Sequence, residues 1–137
     1  DFMVSLFLFV VLCAFLYVHF LSSFRKETLH HYEGAMRFFE EHLVNPVNQS
    51  ESLRQDEGIA SLVKKYKAIA TLGVDVSDEI YMMQHQLIEA TQLHTLKETW
   101  TLSWQHYSQS AQKYNYLLSI LPFVIHRRRA LPCSFLK

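Results

Sequence analysis

The sequence predicts an all-α protein in which one N-terminal transmembrane helix continues into an elongated antiparallel helical bundle or coiled coil. Half of the residues are hydrophobic, yet the chain has only three glycines and three prolines, and this shortage of chain breakers favours long helices over sheets. Residues 2–21 carry no full charge. Further along, apolar residues recur at alternating steps of three and four, which is the spacing of one helix face.

The segment Phe2–Leu21 has the length of a membrane span. About twenty apolar residues at a rise of 1.5 Å give roughly 30 Å, the thickness of the hydrocarbon core. The alternative is a signal peptide, which has bases before its apolar run and a small-residue cleavage site after it. Neither pattern surrounds this segment, so we expect a retained transmembrane helix over residues 1–23.

Charges beside the span predict which side of the membrane holds the rest of the chain. Asp1 precedes the span, and Arg25 and Lys26 follow it. Because bases favour the cytoplasmic side, we expect a single-pass protein whose bulk lies on the cytoplasmic or matrix side. In the opposite orientation, Asn48-Gln49-Ser50 would match the acceptor pattern for N-glycosylation.

The residues after the span predict a helical extension, a linker and a helical hairpin. An apolar stripe extends the membrane helix as one rod through residues 24–43, and Asn45-Pro46 is expected to end it. Residues 44–58 are polar and predict a turn-rich linker. A second helix is expected from Ile59 to Leu72, with Gly73 as its stop. A third could run from Asp78 to Leu121, which completes a hairpin over residues 59–121.

The second half of the third predicted helix contains a regular apolar seam. Its members step by four and three: Trp100, Trp104, Tyr107, Ala111, Tyr114 and Leu118. Such a heptad spacing is typical of helices that pack at shallow angles. A stripe with two tryptophans could instead be a ligand platform, but at this spacing packing in the core is the preferred interpretation.

Residues 122–137 predict a basic and apolar C-terminal tail. An apolar run to Ile125 is followed by a cluster of bases, and this combination suits a surface of anionic lipid headgroups. The predicted membrane-interface residues are therefore Arg25, Lys26, Arg127, Arg128 and Arg129. A nucleic-acid patch is disfavoured, since thirteen bases balance thirteen acids and leave no net field. Packing of the apolar run on the protein, with solvated arginines, remains an alternative.

No reaction is indicated by the motifs of this chain. Glu27 and His30 have the Glu-x-x-His spacing of di-iron bundles, but such a site needs a second pair of this kind and two further carboxylates, and no other histidine has an acid three residues before it. The sequence has no Gly-rich phosphate loop, nucleophile elbow or H-E-x-x-H pattern. Cys13 and Cys133 lie at opposite ends without metal-ligand spacing. We therefore expect a non-enzymatic protein without cofactor, metal, nucleic acid or small-molecule substrate.

From Tyr107 to Pro122 the chain reads YSQSAQKYNYLLSILP, and an apolar, basic tail closes at Phe135-Leu136-Lys137. This frame resembles the end of LemA-family proteins, in which a YNxAVxxYNxxIxxFP motif closes the last long helix. Ser108 stands where the family has Asn, Leu121 where it has Phe, and HRRR replaces a small, Gly-containing tail. The resemblance implies a non-enzymatic membrane protein with an N-terminal membrane helix that runs into a bundle.

Two functions fit these features. The first is a LemA-like membrane scaffold that acts through contacts with the lipid bilayer and with itself or other proteins. The second is a small accessory subunit of a large membrane assembly, such as an energy-converting complex or a helical filament. The span has no small-xxx-small dimer motif, so it could face lipid or fill a groove in a larger partner.

Overall fold

Helices make up nearly all of the chain that the structure describes. The computed structural model describes residues 1–120 and 130–133, and no strand occurs among them. The helices are α1 (Phe2–Phe39), α2 (Asn45–Gln49), α3 (Glu51–Gln55), α4 (Glu57–Ala70), α5 (Ser77–Thr91) and α6 (Lys97–Ile120). A π-helical turn, Glu40–Val44, joins α1 to α2, and 3-10 turns precede α5 and α6 at Val74–Val76 and His94–Leu96. The predicted all-α class is confirmed for these residues.

The first half of α1 is exposed and its second half is buried. Large apolar side chains are exposed from Phe2 to Phe20, and the first buried residue is Leu21. Beyond it the buried positions share one face of the helix: Thr28, Tyr32, Ala35 and Phe39. In the described part of the chain, one helical run, Phe2–Gln49, is long and apolar enough to cross a membrane.

The expectation that Asn45-Pro46 ends the first rod is wrong. The N–H of Asn45 reaches back to the carbonyl of Glu40, and this wider turn carries the helix past the proline. Pro46 then lies in the first turn of α2, where its missing N–H costs little. Consequently the predicted linker, residues 44–58, is helical except at two capping residues. Ser50 accepts from Leu53 N, and Asp56 accepts from the first amides of α4.

The expectation of one helix from Asp78 to Leu121 is also wrong. α5 ends at Thr91, whose hydroxyl donates to the carbonyl of Leu87 over 2.7 Å, and Gln92 takes a left-handed conformation with φ of 60°. That conformation costs about 1–2 kcal/mol for a side chain other than glycine. The turn allows α6 to fold back along α5 and bury its tryptophans there, which offsets this cost.

Side-chain contacts give the direction in which neighbouring helices run. Tyr81 of α5 stacks on Trp100 of α6, and Ser77, one turn earlier in α5, lies beside Tyr107, nearly two turns later in α6. The two helices therefore run in opposite directions. α6 also packs along the second half of α1, and α4 packs against α5 after the loop at Gly73. Gly73 has φ of 87°, which a side chain would strain.

Candidate membrane-interface site

The C-terminal end of α6 reaches the apolar half of α1. Tyr17 donates its hydroxyl to the carbonyl of Leu117 over 2.5 Å. Farther down, the hydroxyls of Thr28 and Ser110 lie 2.6 Å apart in a buried contact. Because Thr28 donates to the carbonyl of Phe24, Ser110 is the donor between the two. α6 therefore runs antiparallel to α1 and ends beside the last turns of its exposed apolar segment.

Two of the predicted membrane-interface residues, Arg25 and Lys26, follow the exposed apolar segment directly along α1. Arg25 is half-buried and Lys26 is exposed, about one turn after Leu21, the first buried residue of α1. The other three, Arg127, Arg128 and Arg129, lie outside the described residues. The end of α6 lies at the level of Tyr17, about 12 Å along α1 from Arg25.

The six seam residues of α6 are all buried. Tyr32 of α1 meets Trp104 edge-on, with ring centroids 6.1 Å apart, and on the other side Tyr81 of α5 stacks on Trp100 at 4.8 Å. Aromatic pairs in such geometries contribute about 0.5–1.5 kcal/mol beyond their buried area. The seam therefore forms the core between α1 and α5, and its tryptophans offer no open platform for a ligand.

A buried glutamine connects four helices through its side-chain amide. The carbonyl of Gln84 accepts from the indole nitrogens of Trp100 and Trp104, at 2.7 and 2.8 Å. Its NH₂ group donates to the hydroxyl of Tyr66 at 3.0 Å and lies 3.4 Å from the sulfur of Met36. Each indole thus has the acceptor that a buried N–H requires. We call these five residues the Gln84 network.

The segment Ala130–Cys133 lies back against α6, and we call it the strap. Asn115 pairs with the backbone of Leu131 in both directions, donating to its carbonyl and accepting from its N–H, each at 2.8 Å. Tyr107 donates to the carbonyl of Pro132 over 2.8 Å, and Ser77 donates to the same oxygen over 3.2 Å. Leu131 itself is buried. Thus the side chains of Tyr107 and Asn115 hold the strap against α6.

Burial changes the acidity of several groups in these contacts. Loss of solvent raises the pKa of Tyr66 to about 12, although the hydrogen bond from Gln84 opposes the shift. The same cause raises the pKa of Tyr107 and of the Cys133 thiol. All three groups are protonated and neutral at neutral pH even with ordinary pKa values, and burial extends that neutral range to higher pH.

Three histidines lie close together between α1 and α6. His31 and His106 stack with ring centroids 5.9 Å apart, and His30 lies beside them over a shallow groove. Within residues 1–120 and 130–133, no three His, Cys, Asp or Glu side chains are placed to hold a metal ion. Glu27 and His30 accordingly have no metal partners among those residues.

Comparison with protein-family models, with curated proteins and with solved structures finds no match for this chain.

The polar contacts that fix the register of the helices were not predicted from the sequence. Gln84 lies one turn from Ile80 and from Leu87 and Ile88, all of which are buried. That position on an apolar face was a usable signal for a buried amide. The strap contacts had no such signal, because Leu131 and Pro132 have no periodic pattern around them.

Proposed function

We propose that this protein is a non-enzymatic, single-pass membrane scaffold, anchored by the first half of α1. The supporting observation is the exposure of that half. Its large apolar side chains, from Phe2 to Phe20, are 38–77% exposed apart from Tyr17. An apolar surface of this extent marks an interaction site or a membrane-embedded segment, and its length of about 30 Å matches a bilayer core.

The proposal includes an elongated antiparallel bundle of α1, α4, α5 and α6 below the membrane. Contacts between successive helices support it: Phe39 of α1 meets Tyr66 of α4 edge-on, with ring centroids 5.0 Å apart. Tyr66 in turn bonds Gln84 of α5, which bonds Trp100 of α6. A relationship to the LemA family is part of this proposal, and it rests on the motif that includes Tyr107 and Asn115, whose side chains make part-buried hydrogen bonds to the strap.

The second candidate function is an accessory subunit of a larger membrane assembly. It is favoured by a separate apolar surface at the turn between α4 and α5. Leu72 is 65% exposed and Met82 is 51% exposed, next to Ile69 and Met83. An exposed apolar patch beside the acidic residues Asp78 and Glu79 is typical of a contact surface for a partner protein.

Mass measurement in mild detergent separates the two functions. The full chain is expressed in membranes, solubilised, and weighed as a complex after the detergent contribution is subtracted. A single chain or a homo-oligomer supports the scaffold. Co-migration with unrelated subunits, abolished by Leu72→Asp and Met82→Asp but not by Leu102→Asp on α6, supports the accessory subunit. All three positions are exposed, so these changes leave the core intact.

The proposed orientation has the bulk of the chain on the cytoplasmic or matrix side, as Arg25 and Lys26 indicate. Asn48 is exposed and can report on this, because it begins an N-glycosylation acceptor pattern. We expect no glycan on Asn48 when the chain is inserted into microsomes. A version in which a cleavable signal peptide replaces residues 1–23, and so delivers the bulk to the lumen, is the positive control. A glycan on Asn48 of the natural chain would show that the bulk lies on the lumenal side.

A further inference from the structure

A groove crosses the α1–α6 contact at the end of the apolar segment. It has a volume of about 470 Å³, within the range of sites that hold small ligands. One residue of α1 and five of α6 line it: Phe24, Gln109, Gln112, Lys113, Tyr116 and Leu117. The contacts Tyr17–Leu117 and Thr28–Ser110 bracket the groove along α1.

The polarity of the groove changes along its length. Its membrane-proximal end is formed by Tyr116 and Leu117, at the level of Tyr17, and Phe24 lies farther along α1, towards Thr28. The amides of Gln109 and Gln112 lie at the other end, and Lys113 lies between the two ends. The eight steps from Gln109 to Leu117 span about 12 Å, which exceeds the headgroup layer of about 5–8 Å on either side of the hydrocarbon core.

We propose that this groove binds one anionic glycerophospholipid of the leaflet that faces the bundle. An acyl chain would lie between Phe24 and Leu117 and continue along the exposed half of α1. The phosphate would meet the ammonium of Lys113 and the amides beside it. Lys113 is the charged residue among the lining residues, and it is exposed and so free to reach an anion. The inference rests on the proposed function, since it needs the first half of α1 to lie in a bilayer.

Lipid preference follows from the same chemistry. One phosphate contact by a base near a membrane surface changes affinity by about fivefold, so Lys113 favours a lipid with net negative charge. Tyr116 is 68% exposed and forms a wall of the groove, and its uncharged side chain does not distinguish anionic from neutral lipids. Its loss therefore weakens binding of charged and neutral lipids alike.

Native mass spectrometry of the detergent-solubilised full chain tests the proposal, with phosphatidylglycerol or phosphatidylcholine added. We expect one retained phosphatidylglycerol at low lipid excess. Lys113→Gln should lower its binding about fivefold, and Lys65→Gln, at an exposed lysine of α4 outside the groove, should not. Tyr116→Ala should weaken binding of both lipids. Equal binding by wild type, Lys113→Gln and Tyr116→Ala, or several lipids bound without preference, would overturn the proposal.

A separate measurement distinguishes failure of the groove from failure of the anchor. Extraction of membranes with alkaline carbonate releases proteins that do not span the bilayer. If carbonate leaves the chain in the membrane but Lys113→Gln binds lipid as wild type does, the groove proposal is wrong and the anchor proposal is retained. If carbonate releases the chain, the anchor itself is wrong, and the groove proposal falls with it.

Discussion

Replacing Gln84 by leucine should remove the polar link between four helices while keeping the volume of the side chain. The indole nitrogens of Trp100 and Trp104 lose the carbonyl that accepts from both of them, and Tyr66 loses a donor. A buried donor deprived of its acceptor costs about 1–3 kcal/mol. Two such donors give an expected loss of about 2–6 kcal/mol, a large share of the about 5–15 kcal/mol that stabilises a typical domain.

The assay is chemical denaturation of the full chain in mild detergent, followed by tryptophan fluorescence. Trp100 and Trp104 are the two tryptophans of the chain, so the signal reports directly on the network. Gln86→Leu is the matched control, because Gln86 is exposed on the same helix and should change stability by less than about 0.5 kcal/mol. Equal stability of Gln84→Leu and Gln86→Leu would refute the role given to the amide.

Three further predictions concern the strap, the α1–α6 contact and the buried tyrosines. Asn115→Ala removes two hydrogen bonds of about 1 kcal/mol each between α6 and the strap. Because the strap should then detach more often, maleimide should label Cys133 up to about thirtyfold faster in a chain whose Cys13 has been replaced. Thr28→Val and Ser110→Ala should each cost about 1–2 kcal/mol, with the double variant costing less than the sum. The pKa of Tyr66 rises from 10.0 to about 12 on folding, so its contribution to the free energy of unfolding is complete below pH 10. That contribution is lost as the pH rises towards about 12, at about 1.4 kcal/mol per pH unit.

Each of these predictions has its own control. Asn48→Ala changes an exposed asparagine far from the strap and should leave Cys133 labelling unchanged. Additive costs for the Thr28 and Ser110 variants would mean that their hydroxyls do not interact. Tyr66→Phe should flatten the loss of stability at alkaline pH. If wild type and Tyr66→Phe lose stability with the same slope, the raised pKa of Tyr66 is not what couples folding to pH.

The apolar patterns predicted which residues are buried better than they predicted where helices end. Periodicity placed the seam of α6 and the stripe of α1 on single faces because burial depends on hydrophobicity repeated over several turns. Helix ends depend on local alternatives that such patterns do not contain. Pro46 is accommodated by a π-helical turn, and Gln92 adopts a left-handed conformation without being glycine.

The contacts that bring distant segments together were the hardest to predict from the sequence. The groove needs Phe24 beside Lys113, and the strap needs Asn115 beside Leu131, and both depend on the tertiary arrangement. A serine or glutamine on the apolar face of a helix indicates a buried polar group, but the sequence does not show which residue is its partner. Gln84 and Ser110 are therefore visible in the sequence only as polar interruptions of an apolar face.

The depth of Cys13 in the membrane tests the central claim most directly. Cys13 lies about 15 Å along α1 from Ser23, near the middle of the proposed span. In sealed vesicles, with Cys133 replaced by serine, a membrane-impermeant maleimide should leave Cys13 unlabelled until detergent is added. A chain with Cys13→Ser and Ser23→Cys should be labelled without detergent when its bulk faces outwards. Equally fast labelling of both cysteines would show that the first half of α1 lies in water.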